Sequence, residues 1–217
     1  LTDDLRRQAI QAYHASTTFM DAQVGRVVKR LDELGLADKT IITFASDHGY
    51  HLGEHGLWQK MSIFENSARV PMIVVAPGAK GNGKTAAAPV ELVDLYPTLA
   101  DLCGLKAPGY LDGKSLKPIL DDPTKSVKPG AFSQVQRGDF PGYSVSDGRF
   151  RYIEWDGGKQ GAQLYDLKVD PQELNNLAKG PKHTDTVARL QKLLQQNWPP
   201  GAWTPPANAK GKGKKKK

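Results

Sequence analysis

Thr40-Ile41-Ile42-Thr43-Phe44-Ala45-Ser46, running directly into Asp47-His48-Gly49, is the stretch on which the fold turns. It is short, β-branched and apolar on both alternations, which is how a strand covered on both faces reads, as in a parallel sheet. Pro71-Met72-Ile73-Val74-Val75-Ala76-Pro77 reads the same way. Upstream, Tyr13, Met20, Val24, Val27, Val28, Leu31 and Leu34 recur at three- and four-residue steps. That spacing predicts one long amphipathic helix over residues 4–34, stopped by Gly35. Downstream, residues 93–102 predict a second helix, with Pro97 tolerable near its first turn. Helix, strand, loop, strand, helix is the order of an α/β layered domain.

Beyond residue 105 the texture changes. Residues 106–113 and 121–130 are rich in Pro, Gly, Asp and Lys and read as a linker or surface excursion. Short alternating runs follow at 131–136, 143–146, 150–155 and 163–167, punctuated by the turn signals Asp147-Gly148 and Asp156-Gly157-Gly158. A helix over 184–198, with Val187, Leu190, Leu193 and Leu194 inward, closes the folded part. The expected organisation is a layered α/β unit over 1–129, a small antiparallel sheet with one helix over 130–198, and a disordered basic tail over 199–217.

The 217 residues hold 30 Lys+Arg against 23 Asp+Glu, a formal charge of +7. Six of those lysines sit in the last eleven residues, so the body is close to neutral. A basic nucleic-acid-binding fold is therefore not expected, although the tail should attract polyanions non-specifically. With 39% hydrophobic residues the chain can bury a core, and no apolar run approaches the ~20 residues of a membrane span. The single cysteine, Cys103, excludes an intramolecular disulfide and reads as a core residue. The chain opens at Leu1 and is soon helical, which reads as an internal starting point within something longer.

Chemistry concentrates in the loop after the first strand. His48, His51 and His55 fall within eight residues, interleaved with Gly49, Gly53 and Gly56. Asp47 and His48 stand at the C-terminal edge of a strand, where open α/β sheets place their ligands. Where the strand breaks into a loop, both can converge on one metal ion. An oxygen and a nitrogen ligand alone suggest zinc or another imidazole-tolerant cation rather than calcium. The plainer alternative has Asp47 capping a turn and His48 buried and hydrogen-bonded. Lys60, returning to the strand end, suits an anionic group held by point charge; a solvated lysine is the plainer reading. His55 reads as a hydrogen-bonding residue that fixes the loop, and Glu54 as a partner for a histidine or a surface charge. Gly81-Asn82-Gly83-Lys84-Thr85 lacks the spacing of a phosphate loop and reads as a surface turn.

Ser46-Asp47-His48-Gly49, Leu52-Gly53-Glu54-His55-Gly56, Lys60, Arg69-Val70-Pro71 and Ala76-Pro77-Gly78, in this order, resemble the type I sulfatases, in particular their iduronate-2-sulfatase-like branch. Residues 15–25 and 91–98 resemble helices of that family. Leu164-Tyr165-Asp166-Leu167, with Asp170, Pro171, Glu173, Asn176 and Leu177, resembles its C-terminal subdomain. The resemblance covers about residues 7–198. It implies the C-terminal part of an alkaline-phosphatase-like α/β sandwich plus a small antiparallel sheet with one helix. It implies a sulfuric ester hydrolase acting on a sulfated saccharide, with a formylglycine nucleophile and one Ca2+ ion in place of the zinc that ligand chemistry suggested. Asp47 and His48 match the late pair of calcium ligands, Lys60 a catalytic, sulfate-contacting lysine, and Tyr50 an aromatic at the substrate pocket. Export to a periplasmic, extracellular or lysosomal compartment is implied by family alone.

Two departures matter. No Cys/Ser-x-Pro-x-Arg segment, the source of the formylglycine, occurs here, so the chain is expected to be inactive alone. Ser146 stands where related enzymes often carry a basic residue. A phosphate ester hydrolase of the same superfamily and a noncatalytic carbohydrate-binding module are the alternative readings.

Overall fold

The computed structural model describes residues 1–198; the expected disorder of 199–217, and the tail's polyanion contact, lie outside them. Helix α1 (Asp3–Glu33) starts where Thr2 accepts the Leu5 N–H on its hydroxyl at 3.3 Å, and Asp3 and Asp4 complement the positive end of the helix. It ends as Gly35 turns to φ +64°. The apolar stripe is present but largely uncovered: none of its residues is buried, Val24 and Leu31 are half-buried, and Val27 is 71% exposed. The ring of Tyr13 lies 5.1 Å from that of Tyr50.

Strand β1 (Ile42–Ala45) leads into the hairpin of β2 (His51–Leu52) and β3 (Trp58–Gln59), then α2 (Glu65–Ala68) and β4 (Met72–Val75). β1 and β4 are neighbours, but antiparallel, with Ile42 opposite Val75 and Ala45 opposite Met72. This corrects the parallel, doubly covered reading. Residues Ile42, Phe44, Met72 and Val74 are half-covered, whereas Thr43, Ala45, Ile73 and Val75 face water. The apolar composition thus reports a face that nothing among the described residues covers.

Helix α3 (Leu95–Leu102) follows a 3-10 turn at Leu92–Asp94, and Pro97 sits in its first turn as expected. Cys103 is its exposed cap rather than a core residue. The segment read as a linker is ordered around α4 (Lys117–Asp121), with Leu116 and Ile119 buried. Buried Asp94 anchors it: its carboxylate accepts the Lys114 N–H at 2.8 Å and the Lys128 ammonium at 2.7 Å. Glu91 accepts from Lys128 and from the Phe132 N–H, so the connection is tied to the next sheet.

That sheet is an antiparallel meander of β5 (Ala131–Arg137), β6 (Phe140–Ser146), β7 (Phe150–Trp155) and β8 (Ala162–Asp166). Asp147 makes the β6–β7 turn by accepting the Arg149 and Phe150 N–H groups on one carboxylate oxygen. Val145, Tyr152 and Leu164 form one face, packed against Leu190 and Leu194 of α5 (Thr184–Asn197). On the other side Ile153, Tyr165 and Val135 close over Ile63, with Phe64 alongside. This antiparallel sheet, rather than β1, is the one covered on both faces.

The join between Ile63 and the sheet carries a buried ion triad. Arg151 on β7 pairs with Glu65, at the start of α2, and with Glu173 at 3.0 Å. The second Glu173 oxygen accepts the Glu65 N–H at 2.6 Å. Burial pushes the Glu173 carboxyl up to about 7, against the lowering effect of Arg151. The triad clamps α2, and the loop before it, to the sheet.

Candidate active-site cleft

Each residue of Ser46-Asp47-His48-Gly49 has a local task. Ser46 donates its hydroxyl to the His48 carbonyl at 2.8 Å, bending the chain out of β1. Gly49 donates its N–H to the Ser67 carbonyl of α2 at 2.8 Å. A Cβ at Gly49 would lie 2.0 Å from the Asn66 carbonyl oxygen, so only glycine allows this approach. Gly49→Ala is expected to push α2 away from the strand end and lower the thermal midpoint by several degrees, read by calorimetry. An unchanged midpoint would mean that the contact yields freely.

The Nδ1–H of His48 donates to the Gly49 carbonyl at 2.7 Å, a group that can only accept. In the neutral ring Nε2 is then an open lone pair, 3.6 Å from an Asp47 carboxylate oxygen. Two electron-rich atoms at this separation repel unless a positive charge joins them. The spacing matches adjacent ligands of one divalent cation. Asp47 is 84% exposed at its side chain, so its carboxylate is free to be completed from outside. The pair fits part of a cation site. Among the described residues no third His, Cys, Asp or Glu joins it.

Asp47, His48 and Lys60 line one open cleft of about 1410 Å³. Its lining also includes β5 residues such as Gln134, together with Ser146 and the largely apolar 85–93 segment. Lys60 is exposed and makes no side-chain hydrogen bond or ion pair among the described residues. Sequence-predicted Asp47, His48 and Lys60 are thus brought to one surface. Tyr50 is not in that lining; it sits against Tyr13 of α1.

The other histidines turn inward. His51 is fully buried, with Nε2 2.7 Å from the Ser62 hydroxyl, and burial lowers its pKa, favouring the neutral ring. His55, expected to hydrogen-bond, instead stacks flat on Phe64 at 4.0 Å, and its buried Nε2 has no partner. Glu54 accepts the Leu52 N–H at 2.6 Å and so shapes the turn, and its charge acts on His51, opposing the lowering effect of burial. Sequence reading missed Glu65, Ser62, Ser67 and Arg151.

Residues 53–198 match the family described as N-sulphoglucosamine sulphohydrolase, C-terminal. The chain is 36% identical over 206 residues to the choline-sulfatase of Rhizobium meliloti (strain 1021), covering 91% of this chain and 39% of that protein. It is similar to the solved structure of BT4656 in complex with its substrate D-glucosamine-2-N,6-O-disulfate (TM-score 0.81, 30% identity, 88% of this chain and 40% of that one). A second solved structure, BT1596, a 2-O GAG sulfatase, matches with TM-score 0.79 and 32% identity over 90% of this chain and 44% of the other. The chain belongs to the type I sulfatases and corresponds to their C-terminal portion, in the α/β fold that this family implies. It spans less than half the length of each of these relatives.

Proposed function

We propose that the full protein containing this chain hydrolyses sulfate esters of a sulfated saccharide. The observation that carries this reading is the meeting of the Asp47–His48 pair and Lys60 on one cleft. Asp47 and His48 would hold a Ca2+ ion, completed by ligands from outside the chain; such an ion polarises a bound sulfate when present. Lys60 would place its ammonium against a sulfuryl or leaving oxygen and stabilise the charge that grows there. The nucleophile, a formylglycine, would come from a segment other than this one. Residues 1–129 would form the C-terminal part of the catalytic α/β domain and 130–198 its small sheet subdomain. The disulfated glucosamine bound by BT4656 supports a saccharide, and the 2-O GAG sulfatase BT1596 supports the iduronate-2-sulfatase-like reading. Export follows from the same family reading; no described helix is long and apolar enough to cross a membrane.

The test is steady-state hydrolysis of 4-nitrophenyl sulfate and of sulfated disaccharides by the full-length protein, before and after chelation. Turnover that falls on chelation and returns with Ca2+ is expected. Hydrolysis of phosphate esters in preference to sulfate esters would overturn the proposal.

A further inference from the structure

We infer that His51 is a positioning residue: a buried tether that sets where Lys60 stands relative to the Asp47–His48 pair. The inference deepens the sulfatase reading, and its kinetic arm rests on that reading.

Two paths leave the His51 ring. The Ser62 hydroxyl donates to the Ser67 hydroxyl at 2.8 Å and accepts the Phe64 N–H at 3.3 Å. The same hydroxyl also lies 2.7 Å from His51 Nε2, so the ring is hydrogen-bonded into the Ser62–Ser67 pair. The first path runs through Ser62, whose N–H donates to the Lys60 carbonyl at 2.7 Å. The second runs through Ser67, whose carbonyl accepts the N–H of Gly49, the residue after His48. One ring nitrogen therefore bears on both sides of the proposed site. The chain between needs such a tether: Gln59, opposite His51 in the β2–β3 ladder, sits at φ +71°, a strained turn just before Lys60.

The ring is poorly served by its own surroundings. His51 is fully buried, yet its Nδ1 has no hydrogen-bond partner. An apolar ring would fill that space with no second ring nitrogen to satisfy. What His51 supplies and such a ring lacks is the Nε2 hydrogen bond to Ser62. His55 and Phe64 stand edge-on to it, at 6.0 and 6.4 Å, and hold its orientation.

Two variants separate tether from filler: His51→Phe keeps an aromatic ring and removes the Nε2 hydrogen bond, and His51→Gln carries an amide with a reach comparable to Nε2. Two readouts are taken on the full-length protein: amide exchange at Gly49 and Phe64, and kcat and KM on 4-nitrophenyl sulfate. His51→Phe is expected to speed exchange at both amides about tenfold, the loss of one buried hydrogen bond. It should lower kcat about 10²-fold with KM nearly unchanged, the effect of a small misplacement near the chemistry. His51→Gln should restore both readouts to within about threefold of wild type. Ser67→Ala, which spares the His51–Ser62 bond, should loosen Gly49 and leave Phe64 protected; it stands in if His51→Phe does not fold. Equal behaviour of His51→Phe and His51→Gln, or protection at Gly49 unchanged by Ser67→Ala, overturns the inference. Should the wild type hydrolyse no sulfate ester, the sulfatase reading falls and the exchange data alone decide the tether.

Discussion

Replacing Lys60 with alanine in the full-length protein is expected to lower kcat for a sulfate ester by about 10²–10³-fold, the usual effect of deleting one preorganised charge donor. The thermal midpoint should stay in place, because the Lys60 side chain lies in the open cleft and bonds to nothing else described. Hydrolysis needs charge to build on oxygens around sulfur, and an ammonium already in position costs no reorganisation when that happens. Arginine at the same position keeps the charge but spreads it over a planar fork, so Lys60→Arg should recover only part of the rate. Full activity in Lys60→Ala would remove this residue from the reaction and leave the cation pair to act alone.

Arg151→Ala should have the largest effect on stability. Arg151 is 4% exposed and is the cation between Glu65 and Glu173; it also donates to the Ile63 carbonyl at 3.3 Å. Its loss leaves two buried carboxylates facing one another, a cost of about 3–5 kcal/mol. The deficit should depend on pH. The folded-state pKa of Glu173 is raised from 4.5 to about 7, with burial the chief cause. A raised pKa contributes stability that is fully present below about 4.5 and is lost as the pH climbs through about 7. Without Arg151 the carboxylate form is disfavoured further, so the variant should be least impaired under acid and most impaired above neutrality. Urea titrations at about pH 5 and about pH 8 read the difference directly. Equal deficits at both would show that the proton on Glu173 does not matter to the join.

The small sheet was legible because its signals are local. Asp147-Gly148 and Asp156-Gly157-Gly158 mark the ends of β7, and the expected strand at 150–155 coincides with Phe150–Trp155. The inward positions of α5 were equally plain from their spacing, with Leu190 and Leu194 fully covered. What failed depends on residues distant in sequence. The direction of β4 against β1 is set by chain routing, which composition does not encode. The partners of Arg151 lie 86 residues before it and 22 after it, beyond any window of periodicity. At the candidate site, residue type brought Asp47, His48 and Lys60 forward, and the three line one cleft. Residue type was not enough to choose the cation, because carboxylate and imidazole suit zinc and calcium coordination to different degrees and the remaining ligands decide. Nor could it tell which histidine faces the cleft and which is sealed inside, since all three share the same glycine-rich setting.

The bare stripe of α1 and the water-facing edge of β4 have a practical outcome for anyone producing these 217 residues by themselves. Phe19, Val27 and Ile73 present oily surface of the kind that folded proteins reserve for a seam with other polypeptide. Such a preparation should light up hydrophobic dyes, recruit chaperones in the host and self-associate as its concentration rises. Supplying the complementary segment in the same cell is therefore the sounder route to soluble material.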